Sequence, residues 1–459
     1  MLISENLLEK YNVPVPRYTS YPPANHFTDK FGANDYINLL NESNRWTPGS
    51  IALYVHIPFC RKICHYCGCN ACAMGKGNSV KPYMAAVKAE IELVAGHIDA
   101  GRTVTQLHYG GGTPNAVDSA MLKELNEYLF SKFRFADDAE IAIECNPAYL
   151  SFSYAEKLIE AGFNRFSLGI QDFDNNVLKT VNREPSAIAP GELLRFLKAG
   201  GSDVRVNMDF IYGLPGQTAE SFLETITKAA EIRPDRLVTF SYAHVPWMKK
   251  HQLILEKAGL PASGEKMNMF LGSYEFLKRS GYQPIGLDHF VLPGDDLFLA
   301  MKEHKLHRNF QGYCTRKTTG QVYAFGVTAI SQLEKGYSQN IRDVDEYISC
   351  IGKGNLAVER GCVLSEKQIT TREVISELMC NMKVSFPAIA ESRKISPEEL
   401  MNSIKIDEAA LSNFAEDGLI NYQGDAIEVT EKGKFFMRNI AASLDRAYND
   451  KVHTYSRTV

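Results

Sequence analysis

Between about residues 50 and 290 the sequence repeats one pattern six times: a short run rich in Val, Ile, Phe or Tyr, then a stretch with apolar residues at helical spacing. The runs are Ala52–Ile57, Thr105–Tyr109, Ile141–Glu144, Arg165–Ile170, Val204–Ile211 and Leu237–Tyr242, each bounded by Gly or Pro. Between them, Tyr83, Val87, Ile91, Val94 and Ile98 share one helical face, and a helix through Phe270, Tyr274 and Leu277 stops at Gly281. Strand–helix alternation implies parallel strands joined by right-handed crossovers. Six units rather than eight predict an α/β fold built on a partial (β/α)6 barrel, with a doubly wound sheet as the alternative. Either fold gathers reactive groups at the carboxyl ends of the strands, where the loops converge.

The flanks read differently, and three segments are expected. Residues 1–48 form an extended arm and a helix, because Pro16-Arg17-Tyr18-Thr19-Ser20-Tyr21-Pro22-Pro23 is Pro-broken and aromatic and reads as extended rather than packed. Residues 49–330 are the barrel. Residues 331–459 are mostly helical, with helical patterns at 366–383, 397–404 and 408–417, two short strands within 419–429 around Gly424-Asp425, and a final helix. Helices followed by a hairpin predict a winged-helix-like domain. Residues 360–459 carry 13 Lys/Arg against 15 Asp/Glu, so that domain lacks the basic face that DNA binding requires. The whole chain has 50 Lys/Arg against 54 Asp/Glu, which also speaks against a nucleic-acid partner. No apolar run approaches the ~18 residues of a membrane span. Met1–Lys10 has no basic stretch leading into an apolar one, so a cytoplasmic protein is expected.

Of ten cysteines, five fall within thirteen residues: Cys60, Cys64, Cys67, Cys69 and Cys72. In a reducing compartment such a group reads as metal ligands rather than disulfides. Cys145, Cys314, Cys350, Cys362 and Cys380 are scattered and are expected to be small buried apolar residues. The cluster loop, residues 60–69, follows the first strand with the spacing C-x3-C-x2-C, then x-C. Structural zinc usually takes two cysteine pairs, and no second pair follows, although His56 or His65 could complete a set. A four-cysteine iron–sulfur centre is a second possibility, with Cys69 or Cys72 as fourth ligand; Cys67 and Cys69 are awkwardly close for that. The third is a [4Fe–4S] cluster on three thiolates, with one iron left open to chelate the amine and carboxylate of a ligand.

Other strand ends carry further candidates. The second strand runs into Gly110-Gly111-Gly112-Thr113-Pro114, where glycines let backbone approach a ligand. The run lacks Gly-Lys-Ser/Thr and is not a phosphate loop. Glu144, Gln171 and Asp209 end the third, fourth and fifth strands. Each needs a polar partner, since an unpaired buried group costs ~1–3 kcal/mol. An ordinary sheet-end hydrogen bond would serve any one of them; three in succession favour a site.

The C-x3-C-x2-C spacing with Tyr66 before the third cysteine resembles the radical SAM (S-adenosylmethionine) signature. Beyond the superfamily, the arm at 16–22, Cys67-Gly68-Cys69-Asn70, Val181-Asn182-Arg183-Glu184, Tyr242-Ala243-His244, Asp288-His289-Phe290 and Leu306-His307-Arg308-Asn309-Phe310-Gln311-Gly312-Tyr313 resemble the oxygen-independent coproporphyrinogen III oxidases. That resemblance runs to Tyr455-Ser456-Arg457, nearly the whole chain. It implies conversion of coproporphyrinogen III to protoporphyrinogen IX in haem synthesis, two propionates becoming vinyls through a 5′-deoxyadenosyl radical. It implies a [4Fe–4S] cluster and SAM, two SAM per chain, with a flavodoxin or ferredoxin as reductant and a monomeric enzyme. Carried over, Cys60, Cys64 and Cys67 ligate the cluster. Tyr54, Gly111, Glu144, Ala243 and Ile330 fall on the first SAM site; Tyr66, Gly112, Thr113, Gln171, Arg183 and Asp209 fall on the second. Cys69 is a candidate hydrogen donor near the radical, counted as catalytic with Tyr54 and Glu144. Tyr66 stands where other members often have Phe, and Cys72 is a thiol the pattern does not require. The competing expectations are a haem-binding chaperone of the same superfamily and another radical SAM enzyme acting on a tetrapyrrole. Cys69, the long N-terminus and the absence of a His-Asn-x-x-Tyr-Trp segment at 307–313 favour the oxidase over the chaperone.

Overall fold

The six expected strands form at Ser50–Ile57, Thr103–Gly111, Arg134–Cys145, Arg165–Gln171, Arg205–Tyr212 and Arg236–Ser241. Each pairs in parallel with the next in sequence order. The third starts at Arg134 rather than Ile141, because its polar first half, Arg134–Asp138, hides the strand from a hydrophobicity pattern. This computed structural model describes residues 3–47, 49–75, 80–201, 203–310, 312–315, 320–448 and 455–458; Gln311 of the sequence motif at 306–313 lies outside them. Crossover helices cover the sheet. Val80–Ala95 turns Tyr83, Val87, Ile91 and Val94 inward, each with no exposed surface, while Ile98 lies beyond its end.

Strands that the sequence pattern did not reveal follow the six. Val322–Phe325 pairs in parallel with the first strand, and Ile330–Leu333, Gly336–Asn340 and Val358–Val363 continue the sheet antiparallel. The first three of these are short and joined without crossover helices, so no alternation announces them.

By its contacts the chain divides into two compact units, neither of them continuous in sequence. The barrel unit is Thr28–Pro261 with Lys317–Val363; the second is Met1–Phe27 with Ala262–Arg316 and Leu364–Val459. The boundaries expected at 48/49 and 330/331 do not follow this division. Residues 331–363 stay with the barrel because they extend its sheet. Residues 262–316 belong to the second unit: on helix Ser263–Arg279, Tyr274 donates to Glu431 (2.8 Å) and packs its ring on Phe435, ties a linear reading cannot anticipate.

Within the second unit, helices Glu366–Asn381, Phe386–Arg393, Pro397–Ser403 and Glu408–Glu416 accompany a three-stranded sheet ordered Lys383–Ser385, Ala426–Val429, Ile420–Tyr422. This is the winged-helix-like arrangement expected, with one more strand, because Met382 in the left-handed region (φ 59°) ends the first helix before 383. Capping boxes start two of the helices, at Ser365 with Gln368 and at Ser396 with Glu399. The N-terminal arm is packed, contrary to expectation. Tyr18 and Tyr21 are buried and both donate to Asp445 (3.0 and 2.9 Å), and Arg438 donates to the carbonyls of Pro16, Ser456 and Arg457. The tyrosines supply the partners that a Pro-broken backbone cannot. Cys145, Cys314 and Cys380 are buried, whereas Cys350 and Cys362 are partly exposed. Among the described residues no helix is long and apolar enough to cross a membrane.

One buried carboxyl ties the barrel unit together. Glu90 accepts from Gly326 N–H (2.7 Å), Asn340 Nδ2 (2.5 Å) and Tyr347 O–H (2.6 Å), linking its helix to the loop before Ile330 and to helix Val344–Gly352. Burial outweighs these donors and pushes its pKa up to about 7. The folded chain therefore holds a proton that the unfolded chain releases near pH 4.5, so this stabilisation is full below that pH and is lost as pH rises through about 7. Thermal melts across pH 4.5–7.5 should show Glu90→Gln with a flatter stability profile than the parent, the difference being on the order of 3 kcal/mol. Parallel profiles would count against the shift.

Candidate active site

Strand register decides which side chains meet at the carboxyl end of the barrel. Tyr54 lies opposite His108, Glu144 opposite Ser167, and Gly169 opposite Asp209. Tyr54 stacks on His108 (5.9 Å between centroids, 19° between planes), and its hydroxyl meets His56 Nδ1 at 3.1 Å. His108 Nε2 lies 3.0 Å from Glu144 Oε1. Burial lowers the pKa of His56, so the ring is neutral: Nε2–H donates to the Asn70 carbonyl (3.0 Å) and Nδ1 accepts from Tyr54. For Glu144, burial pushes the pKa up, but His108 and the Gly111 N–H outweigh it and hold the carboxyl below its ordinary value. It is ionised. With 44% of its side chain open to solvent, Glu144 faces a hollow. Burial and the charge of Glu144 raise the Tyr54 pKa, which keeps the phenol protonated.

The glycine run is tight on every side. A Cβ on Gly110 would lie 2.8 Å from Glu144 Oε1, one on Gly111 (φ 117°) 2.8 Å from the His56 ring, and one on Gly112 2.5 Å from the Pro58 carbonyl oxygen. The glycines thus let the second strand close against the first strand and the start of the cysteine loop. Gly112 and Thr113 donate their N–H groups to Ile57 (2.8 Å) and Phe59 (2.9 Å).

The cysteine loop is held from two sides. On one, His65 N–H donates to Val181 O (2.9 Å) and Asn182 Nδ2 to Ile63 O (2.7 Å). On the other, Gln252, His251 and Lys249 donate to the carbonyls of Tyr66, Cys67 and Cys69. Cys60 and Cys64 are buried, Cys67 is half-buried and Cys69 is exposed. Thr113 Oγ1 lies 3.2 Å from Cys60 Sγ, and Arg183 Nη1 donates to Cys64 Sγ (3.6 Å). Burial pushes the Cys60 thiol up to about 11, while a hydrogen bond from Cys69 leads the causes that bring Cys67 down to about 6.

Across the hollow, Gln171 adopts φ 72° and its buried Oε1 has no hydrogen-bond partner. Gly169 makes room for it: a Cβ there would touch both Gln171 Nε2 (2.8 Å) and Arg183 Nη2 (2.9 Å). Asp209 accepts from Ser167 (2.7 Å) and Asn207 (2.8 Å). Tyr66 packs against the cluster of Val177, Ile211, Tyr242 and Leu255. Ala243 is fixed through its carbonyl, which accepts from Gln252 (3.2 Å), and Ile330 opens the strand Ile330–Leu333. The polar candidates therefore fall into two sets: Tyr54 and Glu144 around His56 and His108, and Gln171 and Arg183 around Gly169. His56, expected only as a possible zinc ligand, and both His108 and the triad Lys249, His251 and Gln252, which hold the candidates and their loop in place, were not among the expected site residues. The period-two spacing of Tyr54 and His56 puts both on one strand face and was the available signal for His56; nothing local marks the distant triad.

A family model described as the Radical SAM superfamily matches residues 54–229. The chain is 39% identical over 451 residues to an oxygen-independent coproporphyrinogen III oxidase of Synechocystis sp., covering 98% of this chain and 96% of the relative. It is 37% identical over 455 residues to the Escherichia coli protein of that name, covering 99% and 98%. Among solved structures it matches coproporphyrinogen III oxidase from Escherichia coli, described as a radical SAM enzyme, with TM-score 0.88 and 37% identity over 94% of this chain and 98% of the other. The chain belongs to the oxygen-independent coproporphyrinogen III oxidase family.

As a radical SAM oxidoreductase it uses a [4Fe–4S] cluster and SAM. The residues present fit both groups. Among the described residues no three His, Cys, Asp or Glu side chains gather as ligands of a single ion, whereas a cubane takes each thiolate on a separate iron. Arg183 donates to the Cys64 sulfur and the Thr113 hydroxyl lies within hydrogen-bonding distance of the Cys60 sulfur, polar neighbours of the kind that surround cluster thiolates. The orphaned Gln171 oxygen and the glycine cradle suit a polar ligand with hydroxyls and an ammonium. Gly112→Ala should force Pro58 and Cys60 apart, lowering the melting temperature by the equivalent of ~1–3 kcal/mol and the iron bound after reconstitution to below about half of the parent's. Normal iron content would show that the close approach is dispensable.

Proposed function

We propose that this oxidase-family chain converts coproporphyrinogen III to protoporphyrinogen IX without oxygen, decarboxylating two propionates to vinyls in haem biosynthesis. One observation carries the proposal: the kinship with oxidases of that name spans 98–99% of the chain, both units, whereas the superfamily model covers residues 54–229 alone. When bound, the cluster and SAM supply the carbon radical that starts the reaction.

The protein's part is to hold and orient. Cys60, Cys64 and Cys67 would hold the cluster, which would supply an electron to SAM. Glu144, ionised beside His108, would accept from the ammonium or ribose of one SAM, with Tyr54 and Gly111 bounding it and Ala243 and Ile330 giving apolar surface to its base. Gln171 and Asp209 would meet the hydroxyls of a second SAM molecule, with Tyr66, Gly112, Thr113 and Arg183 around it; Arg183 is suited to a carboxylate. Cys69, next to Cys67, would present its thiol as a donor near the radical. The enzyme works as a cytoplasmic monomer, draws electrons from a flavodoxin or ferredoxin, and engages neither nucleic acid nor membrane.

Purified protein reconstituted anaerobically with iron and sulfide, then given SAM, a low-potential reductant and coproporphyrinogen III, should lose two CO2 per tetrapyrrole. Cys64→Ala should abolish this. SAM cleavage without decarboxylation would move the substrate elsewhere, and tight haem binding with neither would favour a chaperone. Glu144→Gln should weaken SAM binding about tenfold or more in titration calorimetry, the worth of one charged hydrogen bond. Cys69→Ser should keep its iron yet lose turnover; full turnover would end the donor role.

A further inference from the structure

Residues 245–258, after the sixth strand, work in two directions. Inward, Lys249 Nζ donates to the Cys69 carbonyl (2.6 Å) and His251 Nε2 to that of Cys67 (2.9 Å). Gln252 braces the turn by accepting from Val245 N–H (2.7 Å) while it donates to Tyr66. Outward, Trp247 is 54% exposed, Met248 66%, Leu253 43% and Ile254 46%. Thirteen large apolar side chains are exposed among the described residues, and four of them fall within positions 247–254. Scattered exposed apolar residues need no explanation; a contiguous patch does. Its rim is basic: Lys250 and Lys257 are exposed, and the only carboxylate of the segment, Glu256, is engaged by His244 (2.6 Å).

A Trp–Met centre with a lysine rim suits a brief, charge-steered encounter, and lysines select an acidic partner. The segment is hydrogen-bonded to the loop of Cys67, so a partner seated on it would lie one layer of side chains from the cluster. We propose that Trp247, Met248, Leu253 and Ile254, rimmed by Lys250 and Lys257, form the docking surface for a small acidic one-electron carrier protein that reduces the cluster. The inference rests on the reading of Cys60, Cys64 and Cys67 as cluster ligands. One electron leaves the carrier and one enters the cluster; no atom is transferred. Such contacts are small, typically under ~1,200 Å2.

Flavodoxin is the probe. Its affinity for the Trp247→Ala/Lys250→Glu double variant, measured by calorimetry on the cluster-free chain and the holoenzyme, should fall about tenfold or more. Flavodoxin-driven decarboxylation should fall with it, while turnover with titanium(III) citrate stays at the parent's level. Lys250→Glu and Lys257→Glu alone change exposed positions and should weaken binding and flatten its salt dependence. Unchanged affinity in all three variants overturns the proposal. So does loss of turnover with the chemical reductant, which would place the patch in the catalytic site, or a raised KM for coproporphyrinogen with that reductant, which would make it a macrocycle seat. If the parent itself fails with the chemical reductant, the functional reading fails, whatever flavodoxin binding shows.

Discussion

The approach of the second strand's glycines to the first strand is the contact on which the site depends. At Gly110, Gly111 and Gly112 any side-chain carbon would overlap Glu144, the His56 ring and the Pro58 carbonyl in turn. Because nothing intervenes, the Gly112 and Thr113 amides reach the backbone of Ile57 and Phe59, which starts the cysteine loop at a fixed point. The loop's other end is pinned by Asn182 and by Lys249, His251 and Gln252. The thiols need this kind of external clamp to keep their places, since the loop itself is too short to form a core.

Electrostatics divides the hollow between neutral and charged groups. His56 is neutral through burial, and Tyr54 keeps its proton beside the Glu144 charge. Glu144 keeps its charge because His108 and a glycine amide face it. One polar row therefore offers an anionic acceptor next to a protonated phenol. Gln171, in a strained backbone conformation with an unused oxygen, holds its amide ready across the hollow; such strain persists only where surrounding structure enforces it.

The barrel was legible because buried parallel strands write themselves as apolar runs, and the iron–sulfur cofactor because thiols at that spacing have few other uses. Ser50–Ile57 and Arg165–Gln171 fell within a few residues of expectation for that reason. Arg134–Asp138 did not, since its exposed polar half carries no pattern. Strands at 322–340 escaped because hairpins need no crossover helix. His108 was hidden by its role as a partner: its meaning comes from register with Tyr54 and from Glu144, thirty-six positions on. Lys249 and His251 carry no local signal at all, since they act through backbone carbonyls of a loop 180 and 184 residues away.

The interleaving of the two units also sets an order of events at the ribosome. The barrel unit has all its strands once Val363 has emerged, so its sheet can close while residues 364–459 are still being made. The arm has no such opportunity. Tyr18 and Tyr21 precede by 427 and 424 residues the carboxylate they share, Asp445, and the guanidinium that binds the Pro16 carbonyl is Arg438. Until Arg438 and Asp445 are made, the arm lacks the guanidinium and the carboxylate that hold it. A chain truncated before Arg438 would therefore keep its barrel and leave this arm loose at the opposite terminus.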